Sequence, residues 1–589
     1  MKKTVQITFF FCLLFTQQIV SQTITVARTF NTNMVLQQST MVPVWGWATA
    51  GTQVDISLAL GSNVISTTKA YSDSNGKWLA NIQTPAAVSG QAPQYTLVAK
   101  GPSNTITFTN VLVGEVWLCT GQSNMTFTMV YQDAATNVGV VDYANEINAA
   151  NYPNVRLFTC PLSRSLTPLT NLEGGSWSVC NPTNVAKFSA VGYYFGRELN
   201  TKLNIPIGLL VAAKSGSAIQ TWIKNETLVA DATLKTKYVD PVTTATTDES
   251  RPSYFYNGII APLFPLAIKG AIWYQGESNT GDGTTYTKAN IAMINDWRTD
   301  FGINFSFYAV QITPRLNIGA ADLYFGRAMF RDYQANIQTI AKTGIIATND
   351  LMQDGDERAV AHPHNKKDVG QRLAYWAMAK DYGQPVQYLG PLYQSMAIEG
   401  NSIRITFKAE SLSTGLISKD GKNLTCFRIA GSDQKFYPAT GIISGNTIIV
   451  NSPSVSTPVA VRFAYTEGSM ANLMNKQGII AYPFRTDSWT SPTYMSGAEP
   501  YITGINDNKI KSFNVYPNPF KDKLFISGEN VDIKSVELID LIGRKINVLA
   551  NVNNSDLSFN SSEINQGAYL LNIRMIDNSI VTYKVFKNI

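Results

Sequence analysis

From residue 23 to about 112 apolar and polar positions alternate in short runs, as in Val54-Asp55-Ile56-Ser57-Leu58, broken by turn clusters such as Ser72-Asp73-Ser74-Asn75-Gly76. A period of two puts successive side chains on opposite faces of a strand, so this stretch predicts an N-terminal β-sandwich. From about Val113 to residue 385 the pattern becomes solid apolar runs, each closing on glycine or a polar cluster. They are Val116-Trp117-Leu118-Cys119, Leu209-Leu210-Val211-Ala212, Ala271-Ile272-Trp273-Tyr274 and Ile345-Ile346-Ala347. Such runs suit strands buried on both faces of a parallel sheet, with helices between them, for example around Ile291 to Trp297. Residues 113–385 are therefore predicted to be α/β, with the chemistry beyond the carboxyl ends of the strands.

Alternation returns over 386–488, as in Ser402-Ile403-Arg404-Ile405-Thr406-Phe407 and Thr447-Ile448-Ile449-Val450, and predicts a second β domain. Residues 489–511, rich in Ser, Pro, Gly, Asn and Asp, read as a linker. Residues 512–589 resume alternation, with Leu524-Phe525-Ile526-Ser527 and Tyr569-Leu570-Leu571-Asn572-Ile573, and predict a small independent β-sandwich. Several domains are what 589 residues require, since single cores stop growing at roughly 250–300 residues.

Composition changes this picture little: 44% hydrophobic and 15% charged residues make a folded chain. A net charge of +6 without a long Lys/Arg run argues against a nucleic-acid partner. Lys2 and Lys3, the apolar stretch Phe9 to Phe15 and the small or polar exit Val20-Ser21-Gln22 predict a signal peptide over 1–22. That apolar core is about half the ~20 residues a spanning helix needs, and no later segment is long enough, so no stable membrane span is expected. Cys12 would leave with the signal. Of the remaining four cysteines, Cys160 and Cys180 flank a loop-rich stretch and could pair in an oxidising compartment, whereas Cys119 is expected to be a core thiol.

The chain has two histidines, His362 and His364. An imidazole base working near neutral pH must be one of them. His-Pro-His is poor metal spacing without a third ligand beside it, and neither a metal nor an organic cofactor is expected. Val369, Leu373, Trp376 and Ala377 share one helical face, and Asn365 with Asp368 resembles a capping box, so the histidines sit in a loop just before a helix. The candidate nucleophile is Ser123 in Gly121-Gln122-Ser123-Asn124-Met125, directly after a buried strand. Glycine there permits a tight turn that exposes a hydroxyl and frees backbone N–H groups for an oxyanion. Two further strand-end clusters, Lys214-Ser215-Gly216-Ser217 and Tyr274-Gln275-Gly276-Glu277-Ser278-Asn279, offer backbone amides and the Gln275 carboxamide.

Together, Val116 to Met125, Gly270 to Asn279 and His362-Pro363-His364-Asn365-Lys366 resemble the sialate O-acetylesterase family of SGNH hydrolases. The likeness runs over roughly residues 24–488, from Met34-Val35-Leu36-Gln37-Gln38 to Pro483-Phe484-Arg485-Thr486-Asp487. It implies an SGNH-type, flavodoxin-like parallel sheet flanked by β-sandwich domains, and a serine esterase acting on O-acetylated glycans. It further implies Ser123 as nucleophile, His362 as general base, and Gly216 and Gln275 in the oxyanion hole. Gln122, Asn124 and Glu277 would bind substrate or support the site. Positions 359 and 360, where the pattern would put an aspartate ahead of the histidine, hold Ala359 and Val360. The orienting group is then Asp350, Asp354, Asp356 or Glu357, or else a backbone carbonyl in a Ser–His dyad.

The tail resembles the C-terminal sorting domain of type IX secretion cargo, through Val515-Tyr516-Pro517-Asn518-Pro519, Gly567-Ala568-Tyr569 and Lys584-Val585-Phe586-Lys587. That likeness implies a bacterium of the Bacteroidetes group, a type IX secretion partner, and a secreted or cell-surface destination. Two other functions stay open on the sequence: an esterase for lipid or thioester substrates, and a catalytically silent glycan-binding protein.

Overall fold

A 17-residue strand, Thr105–Gly121 (β1), joins the N-terminal β region to the central sheet. Its first part alternates exposed and half-buried positions, and from Val111 onward every residue is buried. The change of pattern near residue 112 thus falls inside one continuous strand. Its early half pairs antiparallel with Tyr95–Lys100, and its late half enters a parallel sheet. The computed structural model describes residues 23–130, 139–315, 323–352, 361–495, 514–521, 523–527, 533–540, 544–550, 556–560, 564–575 and 580–588. The expected signal peptide, 1–22, lies outside these residues, as does the part of the expected linker beyond residue 495.

The other central strands are Tyr152–Thr159 (β2), Ser178–Cys180 (β3), Ile207–Ala213 (β4), Gly270–Tyr274 (β5), Ser306–Val310 (β6) and Thr343–Ile346 (β7). They lie in the order β3-β2-β4-β1-β5-β6-β7, all parallel except β3. The register brings Gly121 opposite both Ala213 and Tyr274, so three strands end level. The continuous apolar runs follow from burial on both faces. Trp117, Cys119, Val211 and Ile272 face helices Ala190–Leu203 (α1) and Lys366–Lys380 (α3), while Leu118, Leu210, Ala271 and Trp273 face helix Thr284–Phe301 (α2). Each large side chain so buried contributes about 1.5–3 kcal/mol relative to exposure. Helix α3 begins where its sequence indicates. Asn365 accepts a hydrogen bond from the Asp368 N–H at 3.1 Å, and Val369, Leu373, Trp376 and Ala377 are buried.

All four described cysteines are free and buried. Cys180 lies opposite Tyr152 at the start of β2, whereas Cys160 follows its end, eight strand residues away. At ~3.3 Å per residue the two are about 26 Å apart along the strand, far beyond the reach of a disulfide. The pairing considered from their loop-rich spacing is therefore ruled out by the strand between them. Burial pushes the Cys119 thiol well up, as expected of a core thiol.

The second β region forms a sheet running Tyr393–Glu399, Ser402–Phe407, Thr447–Asn451, Lys435–Ser444, Leu424–Ala430, Ala460–Phe463 and Phe484–Arg485. The first residues of the expected linker belong to this sheet. Thr493–Tyr494 pairs with Lys435 and Phe436, because Tyr494 buries its ring against Phe436 and its hydroxyl receives the Arg462 guanidinium. By compactness the chain divides into Met1–Pro500 and Tyr501–Ile589. The second unit holds a three-stranded and a four-stranded antiparallel sheet around Leu524, Ile526, Val536, Leu571 and Val585. Among the described residues no helix is long and apolar enough to cross a membrane.

Candidate active site

At the end of β1 the backbone of Gly121 takes φ +137°, and a Cβ there would lie 2.2 Å from the Tyr274 carbonyl oxygen. Only glycine lets β1 and β5 close this tightly before the chain leaves the sheet. The Gln122 N–H then donates to the Tyr274 carbonyl at 2.9 Å, and Ser123 opens a single helical turn, Ser123–Thr126. The Ser123 side chain meets the loop ahead of α3, where His362 Nε2 lies 2.7 Å from Ser123 Oγ. These residues are 239 positions apart in the chain. His364 goes elsewhere. It lines a separate cavity of about 340 Å³ with Asp142, Glu146, Tyr194 and Asp368.

The two other strand-end clusters close on the same point. Lys214 N–H donates to the Gly121 carbonyl at 3.1 Å, and Gln122 Oε1 accepts from the N–H groups of Gly276 and Ser278, both at 3.4 Å. Ser278 Oγ donates to the Gly216 carbonyl at 2.9 Å, holding Gly216 at φ +78°. Neither the Ser123 nor the Gly216 N–H has an acceptor among the described residues. Gln275 is different: it is fully buried, and its amide donates to Ser217 O at 3.2 Å and Asn279 Oδ1 at 2.6 Å. Its Oε1 receives the Tyr286 hydroxyl at 2.9 Å. With both amide hydrogens engaged, Gln275 could serve an oxyanion only by giving up one of these bonds.

Asn124 is the hub of the support. Its Nδ2 donates to Glu277 Oε1 at 2.8 Å and to the Ala361 carbonyl at 3.0 Å, while its Oδ1 receives the Lys366 ammonium. Thr313 Oγ1 also donates to the Ala361 carbonyl, at 3.2 Å. The Glu277 carboxyl is buried, and its Oε2 has no partner among the described residues. Burial pushes this carboxyl above the usual range, opposed by the Arg327 guanidinium, the Asn124 hydrogen bond and Lys366.

Of the acids considered for holding His362, Asp350 is taken. Arg372 grips it with two bonds of 2.8 Å and Lys419 adds a third at 3.0 Å. Burial would raise this carboxyl, but the two cations hold it below its ordinary range. Asp354, Asp356 and Glu357 lie outside the described residues. Sequence reasoning missed the roles of Thr313 and Lys366. Thr313 gives no signal, but Lys366 does: a lysine at the first position of a helix opposes the macrodipole, which favours acids there.

Residues 113–379 match the family described as carbohydrate esterase, sialic acid-specific acetylesterase, and residues 514–588 match the secretion system C-terminal sorting domain. The human sialate O-acetylesterase is 28% identical over 481 residues, covering 75% of this chain and 87% of that protein. The mouse sialate O-acetylesterase is 26% identical, covering 74% and 88%. Among solved structures, a carbohydrate acetylesterase from Xanthomonas citri is 32% identical, with TM-score 0.68, over 79% of this chain and all of that one.

Proposed function

The chain belongs to the sialic acid-specific acetylesterase family of carbohydrate esterases, and we propose that it cleaves O-acetyl esters of sugars through a covalent acetyl-enzyme on Ser123. As an acetylesterase it is a carboxylic ester hydrolase, and its C-terminal sorting domain marks it for secretion. The observation that carries the mechanism is the 2.7 Å contact between His362 Nε2 and Ser123 Oγ, within reach for direct proton transfer.

In the proposed reaction Ser123 Oγ attacks the acetyl carbonyl as its proton passes to His362 Nε2. The N–H groups of Ser123 and Gly216 receive the negative oxygen that forms, with Gln275 acting as a buried strut behind them. The imidazolium returns the proton to the departing sugar oxygen, leaving acetate esterified to Ser123. Water then gives its proton to His362 and attacks, and the proton returns to Ser123 as acetate departs. With Asp350 spent on Arg372, holding the far side of the imidazole falls to Asp354, Asp356, Glu357 or a backbone carbonyl. Gln122 ties the nucleophile turn to the 276–278 turn, and Glu277 supports Asn124.

The parallel order β2-β4-β1-β5-β6-β7, with reactive groups beyond its carboxyl ends, supports an SGNH-type, flavodoxin-like catalytic core over 113–385. The regions 23–112 and 386–488 would be accessory β domains. Residues 1–22 would be the signal peptide that begins export, with the type IX machinery recognising 512–589.

The test is Ser123→Ala, which deletes one oxygen from a turn held by other atoms. Acetyl release from p-nitrophenyl acetate and from a panel of O-acetylated glycans should fall to about a thousandth or less with the fold unchanged. A variant that keeps more than this would exclude Ser123 as nucleophile. The same panel, sialic acid esters included, defines the sugar.

A further inference from the structure

We propose that Lys366 is a positioning residue for the esterase reaction, its buried ammonium locking Asn124 into the tie that sets the nucleophile turn against the base loop. The inference rests on the Ser123–His362 reading. Lys366 is fully buried at the first position of α3, where desolvation and the helix dipole both oppose a cation. Something specific must offset both. The ammonium lies 4.4 Å from the centre of the Phe127 ring and 5.5 Å from that of Tyr274, and donates to Asn124 Oδ1.

An ammonium has only donors, so it fixes which end of the Asn124 amide faces it. The NH₂ end then points at Glu277 Oε1 and the Ala361 carbonyl. Asn124 follows Ser123 in the chain and Ala361 precedes His362. One side chain therefore spans the two loops whose separation sets the 2.7 Å contact. Glu277 completes the arrangement: burial raises its carboxyl, opposed first by the Arg327 guanidinium, then by the Asn124 hydrogen bond and last by the Lys366 charge on the far side of the amide. Gln or Met in place of Lys366 could fill the space but would supply no charge.

Lys366→Met keeps length and packing and removes the charge. Its kcat should fall roughly a hundredfold, the cost typical of a small misplacement of reacting groups, with KM little changed. Lys366→Arg, which retains the charge and donors, should recover part of that loss. Because Lys366 acts through Asn124, the double variant Lys366→Met/Asn124→Ala should lose no more than Asn124→Ala alone. Wild-type kcat in Lys366→Met, or fully additive losses in the double variant, would overturn the assignment. If Lys366→Met does not fold, Asn124→Ala decides: wild-type kcat overturns the tie, and a kcat loss at unchanged KM supports it. Labelling with a fluorophosphonate separates the two readings. A wild-type protein unlabelled at Ser123 refutes the nucleophile, whereas a Lys366→Met protein labelled at the wild-type rate refutes only the positioning role.

Discussion

His362 and His364 are separated by one proline yet serve different surroundings. Pro363 fixes its own φ and disfavours a helical conformation at His362, so this stretch stays a loop and its two imidazoles diverge. His362 meets Ser123, and His364 faces a cavity edged by Asp142, Glu146 and Asp368. His362→Ala should approach the Ser123→Ala defect, about a thousandfold or more in kcat/KM. His364→Ala should be much milder, because the imidazole that lies 2.7 Å from Ser123 Oγ is that of His362, while His364 lines a different cavity. Steady-state rates on p-nitrophenyl acetate compare the two, and equally severe losses would refute the separation. Ser123 and His362 could be proposed from the sequence because the chain has two histidines, and because the strand-end clusters together with His362-Pro363-His364 resemble a known family. The engagement of Gln275 could not, since its partners Ser217, Asn279 and Tyr286 meet it only in the folded chain.

Among elements, the junction of β7 with α3 depends on Asp350. This carboxylate lies just beyond β7 and is gripped by Arg372 from one helical face, with both side chains almost inaccessible. Asp350→Asn leaves a buried guanidinium without its counter-charge and should cost about 3–5 kcal/mol of stability, read from urea unfolding at neutral pH. The folded carboxyl is held below its ordinary range, so its contribution is complete above the unfolded carboxylate pKa and disappears as pH falls through the folded value. The gap between variant and wild type should therefore narrow in acid; a constant gap would exclude the charge as its cause. The helix itself was legible, from its apolar face and its Asn365 cap. The strand ends were legible as glycine clusters, but their alignment at Gly121, Ala213 and Tyr274 came from sheet register. Register reflects pairing between distant segments, and local pattern does not encode it.

At the scale of the whole molecule, 1–500 and 501–589 are separate compact units. A protein ending at residue 495 should retain wild-type turnover within about twofold and a cooperative thermal transition, since each unit has its own core. The same truncation should abolish export from a host with the type IX pathway; a tenfold loss of kcat would instead tie the tail to catalysis. The β, α/β, β succession and the sorting tail were legible in the sequence, as were candidates for the nucleophile and base. Periodicity, glycine placement and residue scarcity are local properties that survive without a fold. Only the tertiary structure decided that residue 112 lies within one continuous strand and that Cys160 and Cys180 stand at opposite ends of β2. It also decided that Asp350 belongs to Arg372 and that a buried lysine holds Asn124. These outcomes turn on which distant groups share one desolvated space, where an ion or amide must find its partner and the number of partners is fixed by packing.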